Sequence, residues 1–271
     1  MSLIPANVLS QLARLADKPS MPRMASRLMR SLIKRMLKFG GFSENGFTRS
    51  VYGVWLADQW NDATFRLCAA GSYGFFYADW LSRLEAGSFI DIGANQGLYS
   101  LLAGRNRGIR NIYSFEPQPN VFARLRKNIE KNGFANIESF PFAISSKAGQ
   151  SLIYVPEGHS GAATLSDRNL GAGSRDSVTI ESVDQNFLDS RIRIDADERI
   201  AIKIDTEGHE EEVIGVLRNS RLWDRVFNIF YEVDERHLKN HQQLLDSLLS
   251  EGFRLVYKNG SGQHYDLMLQ R

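Results

Sequence analysis

The feature that most constrains this chain is a five-residue apolar strand running directly into a glycine-rich turn. Ser88-Phe-Ile-Asp-Ile92 is followed by Gly93-Ala-Asn-Gln-Gly97, and then by Leu98, Tyr99, Leu101 and Leu102 at helical spacing. A buried strand that enters a helix this way opens a strand–helix–strand unit of a parallel sheet. In such sheets the first strand-to-helix turn is where a nucleotide-like ligand rests. Gly93 and Gly97 carry no side chain, so a ligand can approach the backbone. Asp91 places a carboxylate at the carboxyl end of the strand. A dinucleotide site would show G-x-G-x-x-G, with the helix N-terminus open to a pyrophosphate. The spacing here differs, and a carboxylate suits a cationic amino group better than a phosphate. The turn therefore predicts a ligand that joins a nucleoside to a positively charged group.

The downstream pattern repeats the alternation. Strands are expected at Asn111–Phe115, Ile137–Ala143, Ile200–Ile204 and Phe227–Val233, with helices over 119–132, 209–219 and 237–250. Phe253–Tyr257 and Tyr265–Leu269 close the chain as a hairpin, which implies one antiparallel strand near a sheet edge. The sum is a doubly wound, mostly parallel α/β sheet. Residues 145–199 break the rhythm: strand candidates 151–155 and 177–181 enclose a Gly/Ser-rich stretch, 158–175. Upstream, residues 8–39 read as helix interrupted near Pro19 and Pro22, 51–57 and 63–68 as a β-hairpin, and 75–84 as a helix. The expected division is an N-terminal helical and hairpin extension, 1–80, and a main domain, 81–271.

Composition removes several classes. At 43% apolar residues, disorder and fibrous repeats are excluded. No apolar run approaches the ~18 residues of a membrane helix, and no secretory leader is expected. The single cysteine, Cys68, rules out an internal disulfide and an intrachain thiolate metal cluster, and fits a reducing cytoplasm. Residues 1–40 carry eight basic side chains and one acid, a net +7 against +2 for the whole chain, so the body is mildly acidic. A nucleic-acid surface on that body is therefore not expected. The basic face of residues 8–39 reads as solvated, with a peripheral membrane or partner contact as the sharper alternative. Oligomeric state is left open.

The second strand ends in Phe115-Glu116-Pro117, and Glu116 lies 19 residues beyond Gly97. An acid about 20 residues past the glycine turn is placed to accept hydrogen bonds from ribose hydroxyls. D-I-G-A-N-Q-G, then F-E-P, then Lys203-Ile-Asp-Thr-Glu-Gly-His-Glu210 resemble the FkbM family of S-adenosylmethionine-dependent methyltransferases, in ordered blocks over roughly 50–235. The resemblance implies a Rossmann-like class I methyltransferase fold with a seven-stranded sheet and S-adenosylmethionine as cofactor. It also implies O-methylation of a sugar or secondary-metabolite acceptor, that is, a small molecule or glycan. By that resemblance Asp91, Gly93, Asn95 and Gly97 line the methionine part of the cofactor and Glu116 holds the ribose. Phe142 or a neighbour flanks the adenine, because Pro141-Phe-Ala-Ile-Ser145 offers no acid there.

Asp205, Glu207, His209 and Glu210 follow the Ile200–Ile204 strand, on the same sheet edge as the glycine turn. An alcohol attacking a sulfonium methyl sheds a proton, so a nearby base assists. His209 titrates in the useful range, and Asp205 is placed to orient it, act as base or bind substrate. Glu232, at the end of the next strand, points toward the same cleft, and His159, in the insert, is placed to reach it. Acids at a helix start also interact with its dipole, which is the plainer account of Glu207, Glu210 and Glu211. D-x-E-x-H could also ligate a divalent ion, but one short loop rarely supplies a whole site, and no metal is assigned. Trp55, Trp60, Tyr73 and Tyr77 either stack on an acceptor or belong to the core. The alternatives to O-methylation are N- or carboxyl-methylation of a peptide or protein, and an inactive cofactor-binding module.

Overall fold

Ser88–Ile92 and Ile200–Ile204 are buried along their whole length, and strands covered on both faces belong inside a parallel sheet. The computed structural model describes residues 6–163, 175–195 and 197–271. In chain order its elements begin with helices α1 (Ala6–Ala16) and α2 (Arg23–Phe39) and short strands β1 (Ser43–Glu44), β2 (Phe47–Arg49) and β3 (Trp55–Ala57). Helices α3 (Ala63–Ala69) and α4 (Phe76–Arg83) lead into β4 (Ser88–Ile92), α5 (Leu98–Gly104), β5 (Asn111–Phe115), α6 (Pro119–Asn132) and β6 (Ile137–Phe140). Then come β7 (Phe142–Ile144), β8 (Gly149–Pro156), β9 (Arg175–Val183) and α7 (Gln185–Arg191). The chain closes with β10 (Ile200–Ile204), α8 (Glu210–Arg218), β11 (Val226–Asp234), α9 (His241–Ser250), β12 (Arg254–Ser261) and β13 (His264–Gln270).

The main sheet has seven strands in the order β12-β13-β11-β10-β4-β5-β6. Neighbours from β11 to β6 are parallel, and β13 alone runs against both β11 and β12. The expected hairpin and its reversed strand are thus in place. Two apolar layers cover the sheet. On one face Ile202, Tyr231 and Leu269 pack with Val213 and Leu217 of α8 and Leu248 of α9. On the other, Phe89, Ile112 and Ala201 pack with Leu101 of α5, Phe65 of α3, Ile33 and Leu37 of α2, and Leu9 of α1. The N-terminal helices therefore share a core with the sheet. No helix among the described residues is long and apolar enough to cross a membrane.

Two expectations are corrected. Residues 63–68 form helix α3, not the second arm of a hairpin. Asp62 caps it, its side chain accepting from the Phe65 amide. Thr64, Phe65, Cys68 and Ala69 are its buried residues, a helical spacing. Six residues are too few to separate a period of 2 from 3.6, and the cap decides. The strand that does form, β3, pairs with β2 upstream of it. The expected strand over 137–143 divides at Pro141, which has no N–H to continue the ladder. β6 stays in the main sheet, and β7 joins β9 and β8 in a second sheet, β7-β9-β8. That sheet contains the two strands expected in the insert, now 149–156 and 175–183. Much of the Gly/Ser-rich stretch between them lies outside the described residues.

Candidate functional site

A cavity of about 280 Å³ opens at the carboxyl ends of β4, β5 and β10. Its floor is the glycine turn, and α3, β7 and the start of β13 supply further walls. The turn has its shape because the backbones at this edge touch. Gly93 has φ +73°. A Cβ there would lie 1.8 Å from the Asp205 carbonyl oxygen, so no side chain fits. Asn95 is also left-handed, with φ +50°. Its amide donates to the Glu116 carboxylate at 2.9 Å, while the Gln118 amide donates to the other oxygen at 2.8 Å. Burial pushes the Glu116 carboxyl up to about 7, and those two N–H bonds oppose the rise.

Gly93, Asn95, Glu116, Phe142, Asp205, His209 and Glu232 all line this cavity. Asp91 and Gly97 do not. Gly97, at φ +90°, has Leu125 of α6 where a Cβ would be, 2.4 Å away, so it serves helix packing. Asp91 is fully buried behind the turn. It accepts from the Ser100 amide at 3.0 Å and from the Ser100 hydroxyl, and it lies 3.4 Å from the Lys203 ammonium. The cation beside Asp91 is thus the chain's own lysine. Among the described residues Asp91 meets the site through Lys203 and through Ser100 of α5. His159 also reaches the cavity wall. Of the four aromatic candidates only Tyr73 does; Tyr77 is stacked on Phe230 in the core, ring centroids 3.9 Å apart.

Three carboxylates converge at the opposite wall. Oxygens of Asp205, Glu207 and Glu232 lie within 4.8 Å of one another. That spacing would admit a cation; the Lys203 ammonium lies 3.3 Å from Asp205, and the His264 ring lies 2.6 Å from Glu232. Burial, then the charges of Glu232 and Asp205, raise Glu207 well above the usual carboxylate range. Burial and then Asp205 push Glu232 up to about 7. Among the described residues no hydrogen bond joins Asp205 to His209. Among the described residues the buried His209 Nε2 has no partner, and burial lowers its pKa, which favours the neutral imidazole. Glu210 acts locally, accepting from the Thr206 and Gly208 amides and closing the turn before α8.

Four site residues escaped the sequence reading. Lys203 carried a signal, a lone charge inside the apolar strand I-A-I-K-I. Gln96 is 3% exposed and lines the cavity; nothing in its spacing marks it. His264 bonds Glu232 at 2.6 Å through the β11–β13 pairing, which brings it close from 32 residues away. Cys68, buried on α3, lines the cavity only because 63–68 is helical.

The profile of the "Methyltransferase FkbM domain" matches residues 91–255, more than half of the chain. The chain belongs to the FkbM methyltransferase family. Its sheet order and helical layers are the Rossmann-like class I methyltransferase arrangement, and by its family S-adenosylmethionine is its cofactor. No curated protein matches the sequence. Among solved structures, this FkbM chain resembles a candidate O-methyltransferase from Klebsiella pneumoniae at TM-score 0.46 and 12% identity, covering 74% of this chain and 80% of that one. It resembles SMU.1697c from Streptococcus mutans, solved with S-adenosylhomocysteine, at TM-score 0.45 and 9% identity, over 71% and 94% of the two chains. A rRNA methylase from Streptococcus thermophilus aligns at TM-score 0.45 and 13% identity, over 72% and 93%.

The last of these corrects the expected partners. The mildly acidic body argued against nucleic acid, yet the folds resembling this FkbM chain include a rRNA methylase. Net charge summed over a body does not decide what a single cleft accepts, so that exclusion is withdrawn.

The residues present fit the cofactor. The FkbM cavity holds a buried acid at the turn, Glu116, and beside it the buried side-chain amide of Gln96, polar groups that suit a nucleoside ligand.

Proposed function

We propose that this enzyme methylates a hydroxyl of a sugar or secondary-metabolite acceptor. Asp205, Glu232 and His209 would face the acceptor, and Gly93, Asn95, Glu116 and Phe142 the cofactor. The observation that carries the reading is the convergence of Asp205, Glu207 and Glu232 on one cavity with the glycine turn. When bound, S-adenosylmethionine supplies an electrophilic methyl group.

The chain's own residues do the rest. Glu232, at about 7, is poised to take the hydroxyl proton near neutral pH. His264, which Glu232 and then its charge push up to about 9, holds the Glu232 carboxylate from the solvent side. Protonated Glu207 donates rather than repels. Asp205, fixed by Lys203, orients the acceptor, and neutral His209 offers it a hydrogen bond. Glu116 holds the ribose diol, and Phe142 flanks the adenine. Asp91 and Gly97 keep the turn in shape. A reducing cytoplasm suits the single buried thiol.

The acceptor class is tested with methyl-labelled cofactor and separate sugar, small-alcohol, peptide and RNA pools. The expected product is a base-stable methyl ether in the sugar or alcohol pool. Label in the peptide or RNA pool instead would overturn the acceptor assignment. The cofactor half is tested by Glu116→Gln. It is expected to weaken S-adenosylhomocysteine binding about tenfold to a hundredfold by calorimetry, the worth of a hydrogen bond to a charged group. Unchanged affinity would remove Glu116 from the ribose.

A further inference from the structure

Lys203 touches both halves of this edge, the cofactor turn and the carboxylate on the acceptor side. The parallel register sets it directly beside Asp91 of β4. Its side chain is 2% exposed, and its ammonium lies 3.4 Å from Asp91, 3.3 Å from Asp205 and 2.6 Å from the Gly93 carbonyl oxygen. The Ile92 carbonyl lies farther off, at 3.5 Å, and these three are the nearest acceptors for the three donors of the ammonium. One of them belongs to the cofactor turn, one to the acid behind it, and one to the carboxylate on the acceptor side. The Asp205 backbone is tied separately, its amide donating to the Ile92 carbonyl at 3.1 Å.

The geometry points to Lys203 as the positioning residue of methyl transfer, holding the Asp205 carboxylate at a fixed place relative to the glycine turn. The inference rests on the reading that Asp205 faces the acceptor. Lys203 itself contacts no reacting atom. It acts through Asp205 and through the Gly93 carbonyl. Reaction rates fall steeply when a positioning group shifts by about 1 Å, so the loss should appear in kcat more than in cofactor binding.

Removing Lys203 alone would strand buried Asp91, and breaking one side of a buried pair is strongly destabilising. The test therefore uses the Asp91→Asn background, in which the amide oxygen can still accept from Ser100. Lys203→Met is added there. Lys203→Gln, which keeps a donor but removes the charge, is the second variant in case the first does not fold. Three readings are taken: S-adenosylhomocysteine affinity, kcat against KM, and amide hydrogen exchange at Asp205. Relative to Asp91→Asn alone, the expected result is kcat down at least ~30-fold, cofactor KM and adenosylhomocysteine affinity within about fivefold, and Asp205 exchange at least ~10-fold faster. A kcat within threefold, or exchange at Asp205 unchanged, overturns the positioning role. A fall in kcat that only tracks lost cofactor affinity overturns it as well. If instead the unmutated enzyme transfers no methyl group to any acceptor pool, the proposed function fails, while the exchange reading still decides whether Lys203 holds Asp205.

Discussion

Glu232→Gln is expected to lower kcat by about a hundredfold to ten-thousandfold, the range set by loss of a general base, while S-adenosylhomocysteine binds within about threefold. Glu232 sits at the end of β11, at the cavity wall, bonded to His264 at 2.6 Å. Its amide replacement has nearly the same shape and keeps a group facing His264, so the fold survives. The pH dependence has a definite sign. A base works only when ionised, and burial together with Asp205 raises Glu232 to about 7. Activity should therefore climb with pH through about 7 and level off above it, and the variant should lose that limb. The groups facing Glu232 are Asp205, Glu207, Glu210 and His264, so the limb reports the cluster as a whole. A variant with full turnover and an unaltered profile would assign the proton to another group.

Gly93→Ala is expected to abolish both cofactor binding and turnover and to lower the melting temperature. The clash is with backbone, not with a side chain that could rotate: the new Cβ would fall 1.8 Å from the Asp205 carbonyl oxygen. The residue also sits at φ +73°, a conformation that alanine resists. Relief requires β4 and β10 to separate at their ends. That movement pulls the cofactor turn from Glu116, and Lys203 from Asp91 and the Gly93 carbonyl, in one step. Steric strain at a special backbone position belongs to the short list of causes of large destabilisation. Gly97→Ala meets only the Leu125 side chain and should cost less. Normal adenosylhomocysteine binding by Gly93→Ala, measured by calorimetry, would show that the two strand ends can move apart freely.

Much of this follows from local pattern. The strands of the main sheet and the helix over 119–132 have periods long enough to read, and the turn after β4 announces itself through its glycines. The acids Glu116 and Asp205 were legible because topology puts the ends of β5 and β10 on the same edge as that turn. The errors fall where the local signal is short. Residues 63–68 alternate like a strand for six positions, yet the Asp62 cap and burial against the sheet make them helix α3. Asp91, expected beside the methionine part of the cofactor, lies against Lys203 from β10. Locally that expectation is sound, since nothing within its own segment neutralises it.

The residues themselves determined the alternation of strand and helix, the glycine turn, the spacing of the acids and the family they mark. Those properties reside in stretches of a few to twenty residues, where periodicity and turn geometry act. Only the tertiary structure decided which charges meet. Lys203 neutralises Asp91 across 112 positions because parallel register lays β10 against β4. His264 reaches Glu232 because β13 returns antiparallel along β11. Pairings of that kind depend on strand register, which the whole packed sheet sets and no single segment contains.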